Sequence, residues 1–157
     1  MGNTIEQTND VLNDLVRINN DRIEGYTKAK NEINGKEPDL ISLFEHMATQ
    51  SDDCANDLKA LILNTGGTVV SGSTTIGKVY RAWMDLRISF SGNDRITVLE
   101  SCEFGEDAAQ RAYKMALDEP DLTTQARTLV SNQKSELKTS HDEIRRMRDL
   151  EKEHAHH

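Results

Sequence analysis

Several polar side chains fall on stretches that are otherwise patterned for burial: Asn19, Arg22, Ser51, Cys54, Glu103, Glu106, Gln133 and His141. Carboxylates and imidazoles inside a helical protein are the donors of di-iron and di-manganese centres. In those centres two helices supply one Glu each and the other two supply a Glu-x-x-His pair each. Glu103, Glu106 and His141 would be the ligands here, with iron or manganese as the metal. The spacing opposes this reading. Three residues before His46 stands Leu43, and three before His141 stands Lys138; Glu-x-x-His occurs only at the end of the chain, as Glu151/His154 and Glu153/His156. Ser51 and Cys54 have the right separation, but their types suit a hard metal poorly.

The expectation is therefore a structural polar layer without a cofactor. A carboxylate buried alone costs several kcal/mol, so Glu103 or Glu106 should meet Arg22, His141 or the hydroxyl of Tyr26 or Tyr113. Convergence of Glu24, Glu103, Glu106 and His141 would favour the metal; Glu24 facing solvent would count against it. The thiols of Cys54 and Cys102 have no C-x-x-C spacing and read as small buried side chains.

Four long helices must position these groups. The first is predicted from about Thr4 to Asn34, on Val11, Leu15, Ile18, Arg22, Tyr26, Ala29 and Ile33, with Gly35 as its stop. The second opens at Glu37-Pro38-Asp39, runs on Leu40, Phe44, Met47, Ser51, Cys54, Leu58 and Leu61, and closes at Gly66-Gly67. A third is predicted from about Asp94 to Leu117, on Leu99, Cys102, Glu106, Ala109, Tyr113 and Ala116. The fourth is predicted from Asp121 to about Leu150, on Ala126, Leu129, Gln133, Leu137, His141, Ile144 and Met147. The opening Glu-Pro-Asp-Leu of the second helix is echoed by Glu119-Pro120-Asp121-Leu122 before the fourth, which hints at two related hairpins.

The turns at Gly35 to Asp39 and Asp118 to Asp121 can only reverse the chain, whereas 66–93 is long enough to climb back along a bundle whose helices span roughly 35–45 Å. That stretch carries a predicted short helix from Thr74 to Phe90, with Trp83 and Phe90 as a possible interaction surface. One antiparallel four-helix-bundle domain of ferritin-like type, residues 1–152 with a crossover at 66–93 and a His-containing tail at 153–157, is the expected architecture.

Among the 157 residues, 29% are charged and the formal net charge is −8, with Lys and Arg dispersed among acids, so no nucleic-acid footprint is present. The absence of a long apolar run and the polar opening Met1 to Asp10 read as a cytoplasmic protein with no membrane contact.

Tyr80-Arg81-Ala82-Trp83-Met84-Asp85-Leu86-Arg87, then Leu99-Glu100-Ser101-Cys102-Glu103-Phe104-Gly105-Glu106-Asp107-Ala108-Ala109 and Ala112-Tyr113, resemble the bacterial four-helix-bundle family DUF2383. Leu12-Asn13-Asp14-Leu15, Ile23-Glu24-Gly25-Tyr26 and His141-Asp142-Glu143-Ile144-Arg145 are similar to it as well, so the resemblance covers nearly the whole chain. It implies a ferritin-like fold and no assigned reaction. Against metal-binding ferritin-like proteins, Asn19 stands where a Glu would precede the helix-1 tyrosine, Ser51 and Cys54 stand where Glu-x-x-His would fall, and Glu103 or Glu106 alone remains on the third helix. The reading is a non-enzymatic bundle, an interaction or stress-associated protein able to form homo-oligomers; the alternative is a metal-binding redox or storage protein.

Overall fold

The computed structural model describes residues 2–33, 37–69 and 95–155. Four helices are present there: α1 (Gly2–Ile33), α2 (Pro38–Asn64), α3 (Arg95–Leu117) and α4 (Thr124–Ala155). α1 packs most extensively on α2, and α3 on α4; α1 also lies against α3, and α2 more loosely against α4. The result is an all-α four-helix bundle. The predicted short helix, with Trp83 and Phe90, and most of the predicted crossover lie outside the described residues.

Helix ends follow local chemistry. Pro38 occupies the first turn of α2, where no N–H is required, and Asp39 beside it suits the helix dipole. At the other end Gly66 adopts φ +79°, with Gly66 N donating to Leu63 O and Gly67 N to Ile62 O, a Schellman stop. A Cβ on Gly67 would meet Asn9 Nδ2 at 2.5 Å and Ile62 Cγ2 at 2.9 Å, so a side chain there would require both neighbours to shift. The echo before α4 does not survive as a helix start: Glu119-Pro120-Asp121 forms the turn, and α4 begins at Thr124. Thr123 is the reason. Its Oγ1 accepts from Ala126 N at 3.2 Å and its carbonyl from Arg127 N at 2.9 Å, so it caps the helix better than Asp121 would. α4 also continues past Leu150 to Ala155, taking in the first residues of the expected tail.

Direction is fixed by pairs between helices. Asn19 meets Tyr113 and Arg22 meets Glu106, so α1 and α3 are antiparallel; Gln133 meets Cys54 and Ser140 meets Gln50, so α2 and α4 are antiparallel too. Arg95, at the start of α3, bonds Glu37 and Asp39 at the start of α2 and Glu151 near the end of α4. α2 and α3 therefore run parallel, with the last residue of α2 and the first of α3 at opposite ends of the bundle.

Every helix buries a seven-residue repeat, the geometry of shallow-angle bundle packing. Leu40, Met47, Cys54 and Leu61 with Phe44, Ser51 and Leu58 line α2, as the pattern predicts. On α1 the buried row is Leu12, Leu15, Asn19, Arg22, Tyr26, Ala29 and Ile33, which displaces Val11 and Ile18 to the flank. On α4 it is Ala126, Val130, Gln133, Leu137, Ser140 and Ile144, which displaces Leu129 and His141. The apolar core falls into two clusters, one around Tyr26, Phe44, Met47, Leu99 and Cys102 and one around Leu12, Leu58, Ile62, Val130 and Leu137. Polar residues separate them.

Candidate functional site

The polar belt has two layers, the first built from α1, α2 and α3 and the second from all four helices. In the first, Arg22 on α1 is 1% exposed, and its side chain spans the bundle. Nε and Nη2 donate to Oε1 and Oε2 of Glu106 on α3 at 2.5 and 2.8 Å, a two-pronged ion pair in which both side chains are 1% exposed. Nη1 donates to Ser51 Oγ at 2.7 Å and to Met47 O at 3.2 Å on α2. The guanidinium carbon lies 5.2 Å from the Tyr26 ring centre, where the π face favours a cation. Burial opposes the Arg22 charge, but Glu106 more than offsets it and the group is held charged. Burial also pushes the Tyr26 hydroxyl well above its ordinary range.

The second layer is a relay of neutral groups through four helices. Asn19 Nδ2 donates to Leu15 O at 2.9 Å and to Tyr113 Oη at 2.8 Å; Tyr113 donates to Gln133 Oε1 at 2.7 Å, and Gln133 Nε2 to Cys54 O at 3.0 Å. α1, α3, α4 and α2 are thus joined in sequence. Asn19 Oδ1 is buried with no hydrogen-bond partner. Burial pushes the Cys54 thiol up to about 12 and that of Cys102 well above its usual value, so neither is a thiolate nucleophile at neutral pH.

Glu103 and His141 stand apart from this belt. Their side chains are 13% and 14% exposed and lie on the α3–α4 seam instead of the core. Glu103 pairs with Arg148, and His141 lies 2.5 Å from Asp107 and 3.0 Å from Asp142. The reason is periodicity: the inward row of α4 passes through Ser140, and His141, one residue on, turns to the flank. Glu24 is exposed on α1. Glu24, Glu103, Glu106 and His141 do not converge, and among the described residues no three His, Cys, Asp or Glu are grouped to hold a metal ion. A dinuclear centre does not fit this belt, because the Arg22 guanidinium stands between the helices and takes both oxygens of Glu106. Asp21, Thr8, Asn9, Asn13 and Ser140 are also buried, and sequence reasoning missed them. Carrying the seven-residue step back from Ile33 and Tyr26 would have found Leu12; nothing in the pattern marks Asp21.

His141 carries a pH dependence. Burial alone would lower its pKa, but the hydrogen bonds to Asp142 and Asp107 win, and it is raised above the ordinary 6.5. A raised pKa stabilises the fold fully below about 6.5, and the contribution is lost as pH rises through the folded-state value. Unfolding measured at a series of pH values should show the chain losing about 1 kcal/mol or less over that window, since both carboxylates are half exposed, and His141→Gln should remove the slope.

No helix among the described residues is long and apolar enough to cross a membrane. Fold and belt together define an all-α four-helix bundle whose centre is filled by a buried arginine–glutamate pair. A family model described as a domain of unknown function, DUF2383, matches residues 7–119, and the chain belongs to that family. The match takes in Asn19, Arg22, Ser51, Cys54, Glu106 and Tyr113 and stops before α4, which supplies Gln133. No curated protein matches the chain.

Proposed function

We propose that this chain is a non-enzymatic bundle that works by association with protein surfaces, in the cytoplasm, and that its centre is structural and takes no iron or manganese. One observation carries the reading: Arg22 fills the middle of the bundle, where a dinuclear centre would need open carboxylates, and commits its donors to Glu106, Ser51 and Met47. A metal would have to displace a buried cation from its carboxylate partner, Glu106, at a cost of several kcal/mol. The two thiols are free and buried, which suits a reducing compartment. Exposed apolar side chains, Phe104 and Met115 on α3 among them, offer contact area on the outside instead.

Elemental analysis of protein ending at Lys152, followed by titration with iron and with manganese under thermal unfolding, tests this. The expected result is no stoichiometric metal and an unmoved melting temperature. Stoichiometric binding that raises the melting temperature and is lost in Glu106→Ala would overturn it.

A further inference from the structure

We propose that the bundle centre binds one ordered water molecule between its two polar layers, donating to Asn19 Oδ1 and accepting from Ser51 Oγ. This rests on the metal-free reading of the centre and names what the belt takes in its place. Asn19 is 0% exposed, and its Oδ1 has no hydrogen-bond partner among the described residues. Turning the amide over does not cure this. Oδ1 would then face the Leu15 carbonyl, acceptor against acceptor, and Tyr113 would have to give its single proton to Asn19 and to Gln133 at once. Turning Gln133 over as well sets its oxygen against the Cys54 carbonyl. The backbone carbonyls at the two ends of the relay therefore fix both amides, and the acceptor left over on Asn19 needs a donor from outside the relay.

The helices say where that donor stands. Nδ2 reaches back to Leu15, one turn toward the start of α1, so Oδ1 on the same carbon is turned toward the Arg22 layer. Arg22 meets Ser51 on α2, and the relay from Asn19 closes on Cys54, so the same three-residue step, about 4.5 Å, separates the layers on both helices. A gap of that size exceeds a direct hydrogen bond and suits one bridging water. Ser51 Oγ accepts from Arg22 Nη1 at 2.7 Å and keeps its own proton to give. Ser51 and Cys54 on α2 and Ala109 on α3 are the buried side chains at this height, and their small size leaves room for a water. The guanidinium one turn away disfavours a cation, and a molecule that both donates and accepts is needed to satisfy Asn19 and Ser51 together. With the water in place the belt is one network, from Glu106 through Arg22, Ser51 and Asn19 to Tyr113 and Gln133.

A high-resolution crystal structure of the whole chain should show a single peak about 2.8 Å from both Asn19 Oδ1 and Ser51 Oγ, without iron or manganese anomalous scattering. In solution, oxygen-17 relaxation dispersion should count one long-lived internal water fewer in Asn19→Leu, which removes the acceptor at nearly constant volume, than in the parent. Ala109→Val fills the space but leaves the hydrogen-bonding groups in place, and it should lose the same water. Circular dichroism checks that each variant folds, and either one alone decides the count. No peak at the site, Ser51 or Cys54 donating straight to Asn19 Oδ1, or an equal water count in parent and folded variants would each overturn the proposal. A peak that scatters as iron or manganese would overturn it together with the reading of the centre. Failure of the water alone leaves that reading standing, so the two failures remain distinct.

Discussion

Glu106→Gln should lower the unfolding free energy by about 3–5 kcal/mol, measured by urea denaturation at neutral pH, and the melting temperature by roughly 10 °C. The substitution changes almost nothing in volume. It removes the one formal negative charge bonded to Arg22 among the described residues, and a guanidinium that is 1% exposed has no bulk water to turn to. Ser51 and the Met47 carbonyl hold the group in place but cannot neutralise it. Arg22→Met with Glu106→Leu should behave differently. Both charges leave together, no buried group is stranded in their place, and the double variant should match or exceed the parent stability, since well-packed apolar replacements of buried ion pairs are often neutral or stabilising by about 1–4 kcal/mol. A double variant less stable than Glu106→Gln alone would show that the pair contributes stability beyond mutual neutralisation.

The second large effect belongs to the neutral relay. Tyr113→Phe deletes one oxygen that both accepts from Asn19 and donates to Gln133. Asn19 Nδ2 keeps the Leu15 carbonyl, but Gln133 Oε1 loses its bond in a site that is 3% exposed. A buried acceptor left without a donor costs about 1–3 kcal/mol, and the melting temperature should fall by about 5 °C. Adding Gln133→Met removes the stranded amide as well. The double variant should lose clearly less than the sum of the single losses, with a coupling of about 1 kcal/mol or more in a double-mutant cycle. Strict additivity would mean that the two side chains act independently and that the relay is not one unit.

Periodicity carried the reading of α2 and α3 because their inward positions are apolar or small at nearly every step, so the seven-residue row stands out against a charged surface. Leu40 to Leu61 and Leu99 to Ala116 are buried where the spacing puts them. In α1 and α4 the inward row passes through Asn19, Arg22, Gln133 and Ser140, and hydrophobicity loses its contrast there. Val11 and Ile18, or Leu129 and Met147, then offer an equally apolar row one position away. Half of that ambiguity resolves only when the facing helix is present, since Leu12 and Val130 are chosen by what they pack against.

Capping shows the same division. Gly66 marks its own place in the chain, because a left-handed residue is needed to close α2 and glycine takes that conformation without penalty. Glu119-Pro120-Asp121 resembles the start of α2 in composition, but Thr8 Oγ1 donates to the Asp121 carbonyl and accepts from Thr123 N across the bundle end, holding those residues in the turn. Helix starts compete locally, and a contact 113 residues away decides between them.

Sequence by itself determined the four helices, the all-α class, the family and the set of polar residues from which the belt is drawn. It also carried the prediction that Glu103 or Glu106, if buried, would need a cation or a hydroxyl, because the cost of burying a lone carboxylate does not depend on topology. Only the tertiary structure decided which partner it received. Arg22, His141, Tyr26 and Tyr113 were all of suitable chemistry, and the choice rested on rotation: a helix turned by one residue, about 100°, moves a side chain from the core to the seam. That single step separates Ser140 from His141 on α4, sends His141 to Asp107 on the α3–α4 flank, and sets Arg22 opposite Glu106 at the centre.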